Sequence, residues 1–464
     1  MSFLKHLQTT SRLASGLCAL GAATLLALPG TALADPGRAQ AKPPSSRTVR
    51  AQPPQSPAPS AVRKRAYSRR AAAGAAAMAA GGAQSSANAQ TRAAPAEARL
   101  IAIFRLIGQA RQREALALAE ALVRDHPNFQ LAQLVYGDLL SSQTRPVRAL
   151  GDVPAATAQA GALVLADLRE EAQMRLKALR ERPPAGMLPS QFLALAPSSR
   201  HAIAVDVSRS RLYLFENTRS GLRLAGDFYI SIGKQGAEKQ LEGDQRTPLG
   251  VYFITSNLDP KSLKDFYGVG ALPINYPNPL DVSRGKTGSG IWLHGTPPEQ
   301  FSRAPRASDG CVVLSNPDLT QLLRTVQVRT TPVVIAQSLQ WQAPHQGAAD
   351  NQRSHGFEAA LAGWQQTKSR GDLTRLLQFY APEFNASGQT LVQWTPVLRQ
   401  EIERMQGRPI ALKDLSYLHW SDSSDTMVVT FGEVIEGMRT GATKRQYWVR
   451  QGRQWKIFFE GVIG

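Results

Sequence analysis

The spacing of apolar residues changes at one place in the chain, and this change divides the fold. From residue 97 to about 182, apolar side chains such as Leu100, Ile103 and Ile107 recur every three or four positions, which predicts amphipathic helices. The turn-forming run Pro183-Pro184-Ala185-Gly186 ends this pattern. Short apolar runs between Gly- and Pro-rich loops follow over 200–337, which predicts a mostly β domain. At 464 residues the chain has room for about three domains, so a single small module is excluded.

The N-terminus has the pattern of an export signal. Lys5 and Arg12 precede an apolar stretch, and the small-residue run Ala32-Leu33-Ala34 follows it. This order predicts a secretory signal peptide over residues 1–34 and a location in the periplasm or cell envelope. The alternative is a short membrane-anchored helix, although the apolar run is shorter than the ~20 residues that a span needs. Cys18 would leave with the signal, so Cys311 would be the one thiol of the mature chain.

Residues 35–95 form a basic segment rich in Ala and Pro. Ten Lys and Arg residues accompany one acidic residue, Asp35, and large apolar residues are nearly absent. This composition predicts a disordered linker, because the segment has too little apolar surface to bury. Its charge favours peripheral contact with anionic wall polymer or a membrane surface. A solvated spacer is the alternative, and nucleic acid is not a predicted partner because the charge lies in the exported tail.

The helical region spans residues 96–184. Its part from Gln112 to Leu140 resembles one tetratricopeptide-type helical hairpin, with Pro127 between two amphipathic runs. One such hairpin cannot bury its own faces. We therefore predict a docking or dimerisation domain that binds a second chain or a wall-anchored protein, and the alternative is a structural helical subdomain.

His294 and Cys311 are the residues on which a catalytic function would depend. His294 ends an apolar strand, and Cys311 follows Gly310 in the string Ser308-Asp309-Gly310-Cys311. A cysteine nucleophile needs a thiolate, which a nearby imidazole can generate at neutral pH. Gly310 lets the backbone turn tightly, so that amide NH groups can face an oxyanion. Taken alone, the pair is also compatible with a buried thiol and a structural histidine.

Three strings around these residues resemble the YkuD-type L,D-transpeptidase family. They are Thr247-Pro248-Leu249-Gly250-Val251-Tyr252, His294-Gly295 and Gly310-Cys311, in the family's order. The resemblance implies a mostly β catalytic domain over 198–338 in which Cys311 is the nucleophile, His294 is the proton acceptor and Gly310 supplies an oxyanion NH. It also implies an acyltransferase that acts on peptidoglycan stem peptides, between their third residue and D-Ala.

The sequence departs from the family pattern at two positions. Asp309 stands where histidine is usual, and Val313 stands where arginine is usual. We expect the Asp309 side chain to point away from the sulfur, since its charge would otherwise raise the pKa of the thiol. Arg303 or Arg306 could replace the missing arginine at a substrate carboxylate. The alternative is that both are ordinary solvated loop arginines.

The remaining predicted substrate-binding residues are Gly295, Ser308 and Tyr276. Tyr276 belongs to a long loop, 257–289, which we interpret either as a lid over the site or as a rigid surface loop. No cluster of His, Cys and carboxylate residues has metal-ligand spacing, and no Gly-rich turn has the pattern of a nucleotide site, so neither a metal nor a cofactor is predicted.

The C-terminal region, residues 353–464, is predicted to be an α+β domain. Helical spacing from Phe357 to Phe384 precedes several long strand patterns. This order resembles the nuclear transport factor 2-like (NTF2-like) fold, and the combination with a YkuD-like domain resembles the cell-shape-determining L,D-carboxypeptidases. Three functions stay open: an L,D-transpeptidase, an L,D-carboxypeptidase that trims tetrapeptide to tripeptide, and a non-catalytic wall-binding scaffold. The sequence does not determine the acyl acceptor.

Overall fold

The computed structural model describes residues 95–344 and 352–463, with only the backbone at 352–355. The predicted signal peptide and nearly all of the predicted basic linker lie outside these residues. Within the described residues, helices come first, a mostly β region follows and an α+β region ends the chain, so the predicted multidomain fold class is confirmed. None of the described helices combines the length and the apolar character that crossing a membrane requires.

Five helices form the N-terminal region. They are α1 (Ala96–Gly108), α2 (Gln112–Asp125), α3 (Gln130–Ser141), α4 (Ala155–Ala160) and α5 (Ala162–Arg180). The apolar residues that recur at helical spacing lie on one side and bury each other, as Leu100, Leu122 and Val135 do. This core also contains Phe301, which comes from the β region.

Two short strands, β1 (Leu188–Pro189) and β2 (Phe192–Ala194), follow the helices. A nine-stranded mixed sheet then forms the centre of the molecule. Its strands are β3 (His201–Asp206), β4 (Arg211–Thr218), β5 (Gly221–Gly233), β6 (Gly250–Phe253), β7 (Ala271–Pro273), β8 (Trp292–His294), β9 (Arg306–Ser308), β10 (Val312–Leu314) and β11 (Pro332–Ala336). The order is β6-β11-β3-β4-β5-β10-β8-β7, and β9 pairs with β5. Two helices, α6 (Pro279–Ser283) and α7 (Asn316–Thr325), lie between strands of this sheet in the chain.

The central sheet is buried on both faces, because alternate side chains of a strand point to opposite sides. In β3, Ile203 and Val205 face a core that includes Leu319 of α7. Their neighbour Ala204 faces a second core, which includes Leu418 from the C-terminal region. The strands therefore read as nearly continuous apolar runs, as strands covered on both faces do.

The C-terminal region packs three helices against a curved sheet. The helices are α8 (Gln352–Ser369), α9 (Leu373–Leu377) and α10 (Leu391–Met405). The strands are β12 (Trp341–Gln342), β13 (Asn385–Ala386), β14 (Gln389–Thr390), β15 (Ile410–Ser421), β16 (Asp425–Ile435), β17 (Ala442–Gln451) and β18 (Gln454–Val462). The main sheet has the order β18-β17-β16-β15-β2, and β1 pairs with β12. Strand β2, which lies in sequence between the helical region and the central sheet, is thus an edge strand of the C-terminal sheet.

Candidate active site

Cys311 and His294 lie on the same face of two neighbouring parallel strands. The register of β10 and β8 places Val312 opposite Leu293 and Val313 opposite His294. Val312 and Leu293 point into the core of the central sheet. Because side chains alternate along a strand, His294 and Cys311, which immediately precedes β10, point away from that core. The two residues, seventeen positions apart in sequence, therefore lie diagonally across adjacent strands.

A cavity of about 340 Å³ opens at this face. Both Cys311 and His294 contribute to its wall. The other lining residues are Lys239, Glu242, Gly243, Phe266, Tyr267, Gly288, Ser289, Gly290, Ile291, Arg303, Ser308 and Asp309. The wall thus combines a thiol, an imidazole, two cationic side chains and aromatic rings.

The His294 ring is almost fully buried and oriented by its own loop. Its Nδ1 lies 2.7 Å from the carbonyl oxygen of Gly295. Because a carbonyl can only accept, Nδ1 carries the hydrogen and Nε2 has the free lone pair. Burial lowers the pKa of His294 to about 4, and the nearby Arg303 acts in the same direction. The imidazole is therefore a neutral base at neutral pH.

The Cys311 sulfur is a thiol in this resting arrangement. Its Sγ donates to the carbonyl oxygen of Gly290 at 3.5 Å. Burial raises the pKa of the Cys311 thiol, and this outweighs the lowering effects of a hydrogen bond from the Trp292 backbone and of the Arg303 charge. The resting site thus holds a neutral thiol and a neutral imidazole, so the thiolate that catalysis needs would form by proton transfer to the imidazole.

The turn before Cys311 is held by Ser308 and Thr247. The Ser308 hydroxyl donates to the Cys311 carbonyl at 2.6 Å and accepts the amide NH of Gly310 at 3.1 Å. The Thr247 hydroxyl donates to the Gly310 carbonyl at 2.9 Å. Gly310 has a φ of 128°, and an added Cβ would lie 2.8 Å from the backbone oxygen of Arg246, so glycine is required here.

This arrangement bears on the role predicted for Gly310. Its NH was expected to bind an oxyanion, but that NH is already engaged by the Ser308 hydroxyl. One donor cannot serve both acceptors well, since hydrogen bonds need a nearly linear geometry. The oxyanion role of the Gly310 NH therefore stays a prediction, which requires that this bond be exchanged when substrate binds. Ser308 lies at the cavity and its hydroxyl bonds both ends of the turn.

The two candidate arginines occupy different environments. Arg303 lines the cavity, and its guanidinium lies 4.4 Å from the centre of the Phe266 ring. Arg306 is exposed and forms a salt bridge of 3.1 Å with Glu170 of α5. Only Arg303 is thus placed where it can meet a substrate carboxylate.

Gly295 and Tyr276 also differ in position. The Gly295 amide donates to the Tyr267 carbonyl at 3.0 Å, and its own carbonyl orients His294. Tyr276 is buried in the core, where its hydroxyl donates to the Thr287 carbonyl at 3.0 Å. Tyr276 does not line the cavity, because its side chain packs into the core of the central sheet, and we do not include it in the site.

Of the two positions that depart from the family pattern, Asp309 is hydrogen-bonded at the surface and Val313 is buried. Asp309 accepts hydrogen bonds from Lys234 at 2.8 Å and Gln245 at 3.1 Å. It therefore holds the loop, although its charge still contributes to the raised pKa of Cys311. Val313 is buried, and it pairs with Ser231 of β5 on its other side.

Several residues of the site have no signal in the sequence motifs. Phe266 and Tyr267 of the long loop 257–289 form an aromatic wall, with ring centres 5.8 and 5.1 Å from that of His294. The buried Lys239 lines the opposite side and is held by Asp244 at 2.7 Å. The loop is thus part of the wall of the cavity, and its unusual length was the hint of this in the sequence.

Asn316, the first residue of α7, joins the loop 257–289 to the residues that follow His294. Its Oδ1 accepts from the amides of Thr296 and Val269, each at 3.2 Å. Its Nδ2 donates to the Thr296 carbonyl at 2.9 Å. An added Cβ on Gly295 would lie 2.1 Å from this Oδ1, so the position of the Asn316 side chain leaves room only for glycine at 295.

No group of three or more His, Cys, Asp or Glu side chains in residues 95–344 and 352–463 is arranged to hold a metal ion.

Comparison with known proteins identifies two domains in this chain. Residues 200–335 match the model of the L,D-transpeptidase catalytic domain, YkuD. Residues 357–461 match the model of the Cds6 C-terminal NTF2-like domain. No curated protein matches the chain.

Two solved structures are similar over most of their own length. Bd1075 from Bdellovibrio bacteriovorus is 25% identical, with 60% of this chain and 98% of that chain covered, and the TM-score is 0.49. The helical cell shape determining protein Pgp2 from Campylobacter jejuni is 20% identical, with 64% and 99% covered and a TM-score of 0.46. The family matches alone establish that this chain carries a YkuD-type L,D-transpeptidase catalytic domain followed by an NTF2-like domain of the Cds6 C-terminal type.

Proposed function

We propose that this protein is an exported L,D-transpeptidase-type cysteine enzyme that modifies peptidoglycan stem tetrapeptides. Cys311 would attack the carbonyl of the third residue and release D-Ala. The single observation that carries this proposal is the pairing of β8 and β10, which brings His294 and Cys311 to one cavity within the matched catalytic domain.

The first half of the reaction forms a thioester. The Cys311 sulfur bonds to the carbonyl carbon, and the thiol proton moves to Nε2 of His294 in the same step, because the resting pair is neutral. The amide oxygen becomes an oxyanion, for which the Cys311 amide remains as the backbone donor. The C–N bond then breaks, and the protonated His294 gives its proton to the departing D-Ala amine.

The second half of the reaction depends on the acceptor. A second amine would lose a proton to His294 and attack the thioester, which restores the thiol and forms a crosslink or a bond to a wall-anchored protein. Water would follow the same path and leave a tripeptide. Arg303 lines the cavity beside Cys311, and its guanidinium suits a carboxylate of a stem peptide.

Trimming by water is the second candidate function, and one observation favours it. The chain combines a YkuD catalytic domain with a Cds6-type NTF2-like domain in that order. This is the combination for which the sequence resembled the cell-shape-determining L,D-carboxypeptidases. The helical and C-terminal regions would then serve contact with wall glycan or with a partner, and the basic linker would add peripheral wall or membrane contact.

The test is release of D-Ala from purified disaccharide tetrapeptide, with Cys311→Ala as the control. We expect D-Ala from the native protein and none from the variant. If neither protein releases D-Ala, the proposal is wrong and the non-catalytic scaffold is favoured. Release of D-Ala by both would instead place the nucleophile elsewhere.

The acceptor is read from the products of the same reaction by mass spectrometry. Accumulation of crosslinked dimer would support transfer, and accumulation of tripeptide without dimer would support trimming. A parallel reaction with added free amine acceptor tests whether water is preferred when an amine is abundant.

A further inference from the structure

We infer that the N-terminal helices position Arg303 in the active site. The loop of residues 297–305, which we name the arginine loop, lies between β8 and β9. It carries Arg303 into the cavity. The β region holds it through the Thr296 hydroxyl, which donates to the Gln300 carbonyl at 2.7 Å, and through the Ile232 amide, which donates to the Pro305 carbonyl at 2.9 Å. Its middle, at Phe301 and Ser302, contacts the N-terminal helices. The role of Arg303 at a substrate carboxylate rests on the proposed function, but its placement by the helices does not.

Phe301 anchors the arginine loop in the helical core. Its side chain is 6% exposed and stacks on Phe129, with ring centres 4.2 Å apart. His126 contacts the same ring edge-on at 5.2 Å. Phe129 immediately precedes α3, so the turn between α2 and α3 forms the receptacle for Phe301.

Two hydrogen bonds with Asn128 fix the orientation of the arginine loop on the helical region. The Phe301 amide donates to the Asn128 carbonyl at 3.1 Å. The Asn128 side chain donates in return to the Pro298 carbonyl at 2.9 Å. The loop is thus attached to Asn128 at two of its residues, Pro298 and Phe301, which restricts its rotation about the Phe301 side chain.

A second anchor comes from α5. The Ser302 hydroxyl donates to Glu171 at 2.7 Å. Glu171 is also held by the buried Arg175 at 2.7 Å. Arg175 in turn lies 3.9 Å from the centre of the Tyr229 ring, and the Tyr229 hydroxyl donates to the Arg303 carbonyl at 2.9 Å. The main chain of Arg303 is thus fixed by a chain of contacts that starts on a helix.

These anchors matter because the arginine loop has no regular secondary structure to orient it. An unanchored loop samples many conformations, and each one that removes Arg303 from the cavity weakens substrate binding. Phe301 therefore acts as a positioning residue that works through Arg303. The helical region has an intramolecular role beside any docking role.

The first experiment is a double-mutant cycle in the full chain, with Phe301→Ala, Arg303→Ala and the double variant. A charged hydrogen bond to substrate is typically worth about tenfold or more in binding, so we expect Arg303→Ala to raise KM by about tenfold with a smaller change in kcat. Phe301→Ala should raise KM in the same way. In the Arg303→Ala background, Phe301→Ala should have almost no further effect.

Leu139→Ala is the matched control, because Leu139 is buried in the same helical core at the far end of α3. It should lower stability and leave KM unchanged. Phe301→Leu, which keeps an apolar anchor, should restore most of the native KM. If Phe301→Ala folds poorly, Asn128→Ala removes the separate side-chain bond to the Pro298 carbonyl of the same loop and should raise KM by a smaller factor.

The second experiment does not depend on peptidoglycan turnover. Cys311 is alkylated with iodoacetate, which is anionic, and with iodoacetamide, which is neutral, and labelling of a Cys311→Ala chain is subtracted. A nearby guanidinium should favour the anion, so Arg303→Ala should lower the ratio of the two rates by about three- to tenfold. Phe301→Ala should lower the ratio as well, and Leu139→Ala should not.

The outcomes separate the two proposals. An unchanged KM and an unchanged alkylation ratio in Phe301→Ala would overturn the positioning role, even if Cys311-dependent D-Ala release is observed. Additive effects of Phe301→Ala and Arg303→Ala would overturn it too. A lowered ratio in a chain that never releases D-Ala would support the positioning role and remove only the proposed function.

Discussion

The catalytic domain and the C-terminal domain both collect ionisable side chains away from water, but they use them differently. The C-terminal domain buries a charge cluster formed by Lys368, Lys444, Glu401, Glu433 and Glu460. Lys368 bridges Glu401 and Glu433 at 2.7 Å each, and Lys444 reaches Glu401 at 2.7 Å and Glu460 at 3.0 Å. Every member of the cluster is therefore paired with another member.

The cavity of the catalytic domain has the opposite organisation. Its thiol and its imidazole are neutral, and each forms a hydrogen bond with a backbone carbonyl while lining the cavity. Arg303 lies over an aromatic ring in the same wall. The comparison teaches that the density of ionisable residues does not mark a reactive site. Groups that satisfy one another stabilise a fold, whereas groups directed at a cavity are available to a substrate.

The comparison predicts that His294→Ala affects turnover and not folding. Removal of a general acid and base typically lowers the rate by about 10²–10⁴-fold. We expect a loss of D-Ala release in this range, with a thermal midpoint close to that of the native protein. A large drop in stability with turnover retained would show that His294 is a structural residue.

The reverse is predicted for Lys444→Met in the C-terminal charge cluster. Burial opposes the charge of Lys444, but Glu460, Glu433 and Glu401 outweigh this and raise its pKa. Removing one partner of a buried ion network typically costs about 3–5 kcal/mol, because the other charges lose their compensation.

Urea unfolding followed by tryptophan fluorescence measures this cost, since Trp364 and Trp448 are fully buried in the same domain. The folded fraction of Lys444→Met should keep native turnover. A strong loss of turnover in the fully folded variant would contradict the structural role and assign the cluster to the chemistry.

The smallest predicted effect is a difference in pH dependence between the two regions. Burial lowers the pKa of His294 to about 4, so the unfolded chain binds a proton there between roughly pH 6.5 and 4 and the folded chain does not. Stability should fall as the pH is lowered through this range, by roughly 2 kcal/mol from pH 7 to pH 5. His294→Ala should remove this dependence.

The C-terminal charge cluster should respond at lower pH. Burial acts to raise the pKa of Glu460, but Lys444 and Lys368 outweigh it and the pKa is lowered. A carboxyl of this kind contributes stability above its unfolded pKa of about 4.3 and loses that contribution as the pH falls through its folded value. A fall in stability between pH 7 and 5 that persists in His294→Ala, measured by urea unfolding at each pH, would contradict this assignment.

Much of the fold could be predicted because it depends on local patterns. The strands that contain Ile203 and Leu212 are apolar runs because both faces of the sheet are buried. The helical spacing of apolar residues around Leu100 arises because one side of the helix is buried. His294 and Cys311 could be named because short motifs surround both. Their roles remain proposals, but the structure brings the two side chains to one cavity.

Other parts of the site could not be predicted, because their reasons lie in distant contacts. Arg303 and Arg306 are three residues apart and equally plausible in sequence, yet only Arg303 lines the cavity. Gly310 matched a motif, but its NH is engaged by Ser308. Tyr276 lies in the long loop 257–289 and was predicted to bind substrate, but the fold buries its side chain in the core.

The sequence by itself determined which segments are helices and strands and which residues carry the thiol and the imidazole, since periodicity and short motifs act over a few neighbouring residues. The tertiary structure decided what surrounds those two groups. Phe301 enters a helical core more than 170 residues earlier in the chain, at Phe129, and no local pattern records that contact. Burial, which sets the charge state of His294 and Cys311, likewise arises only when segments distant in sequence pack together.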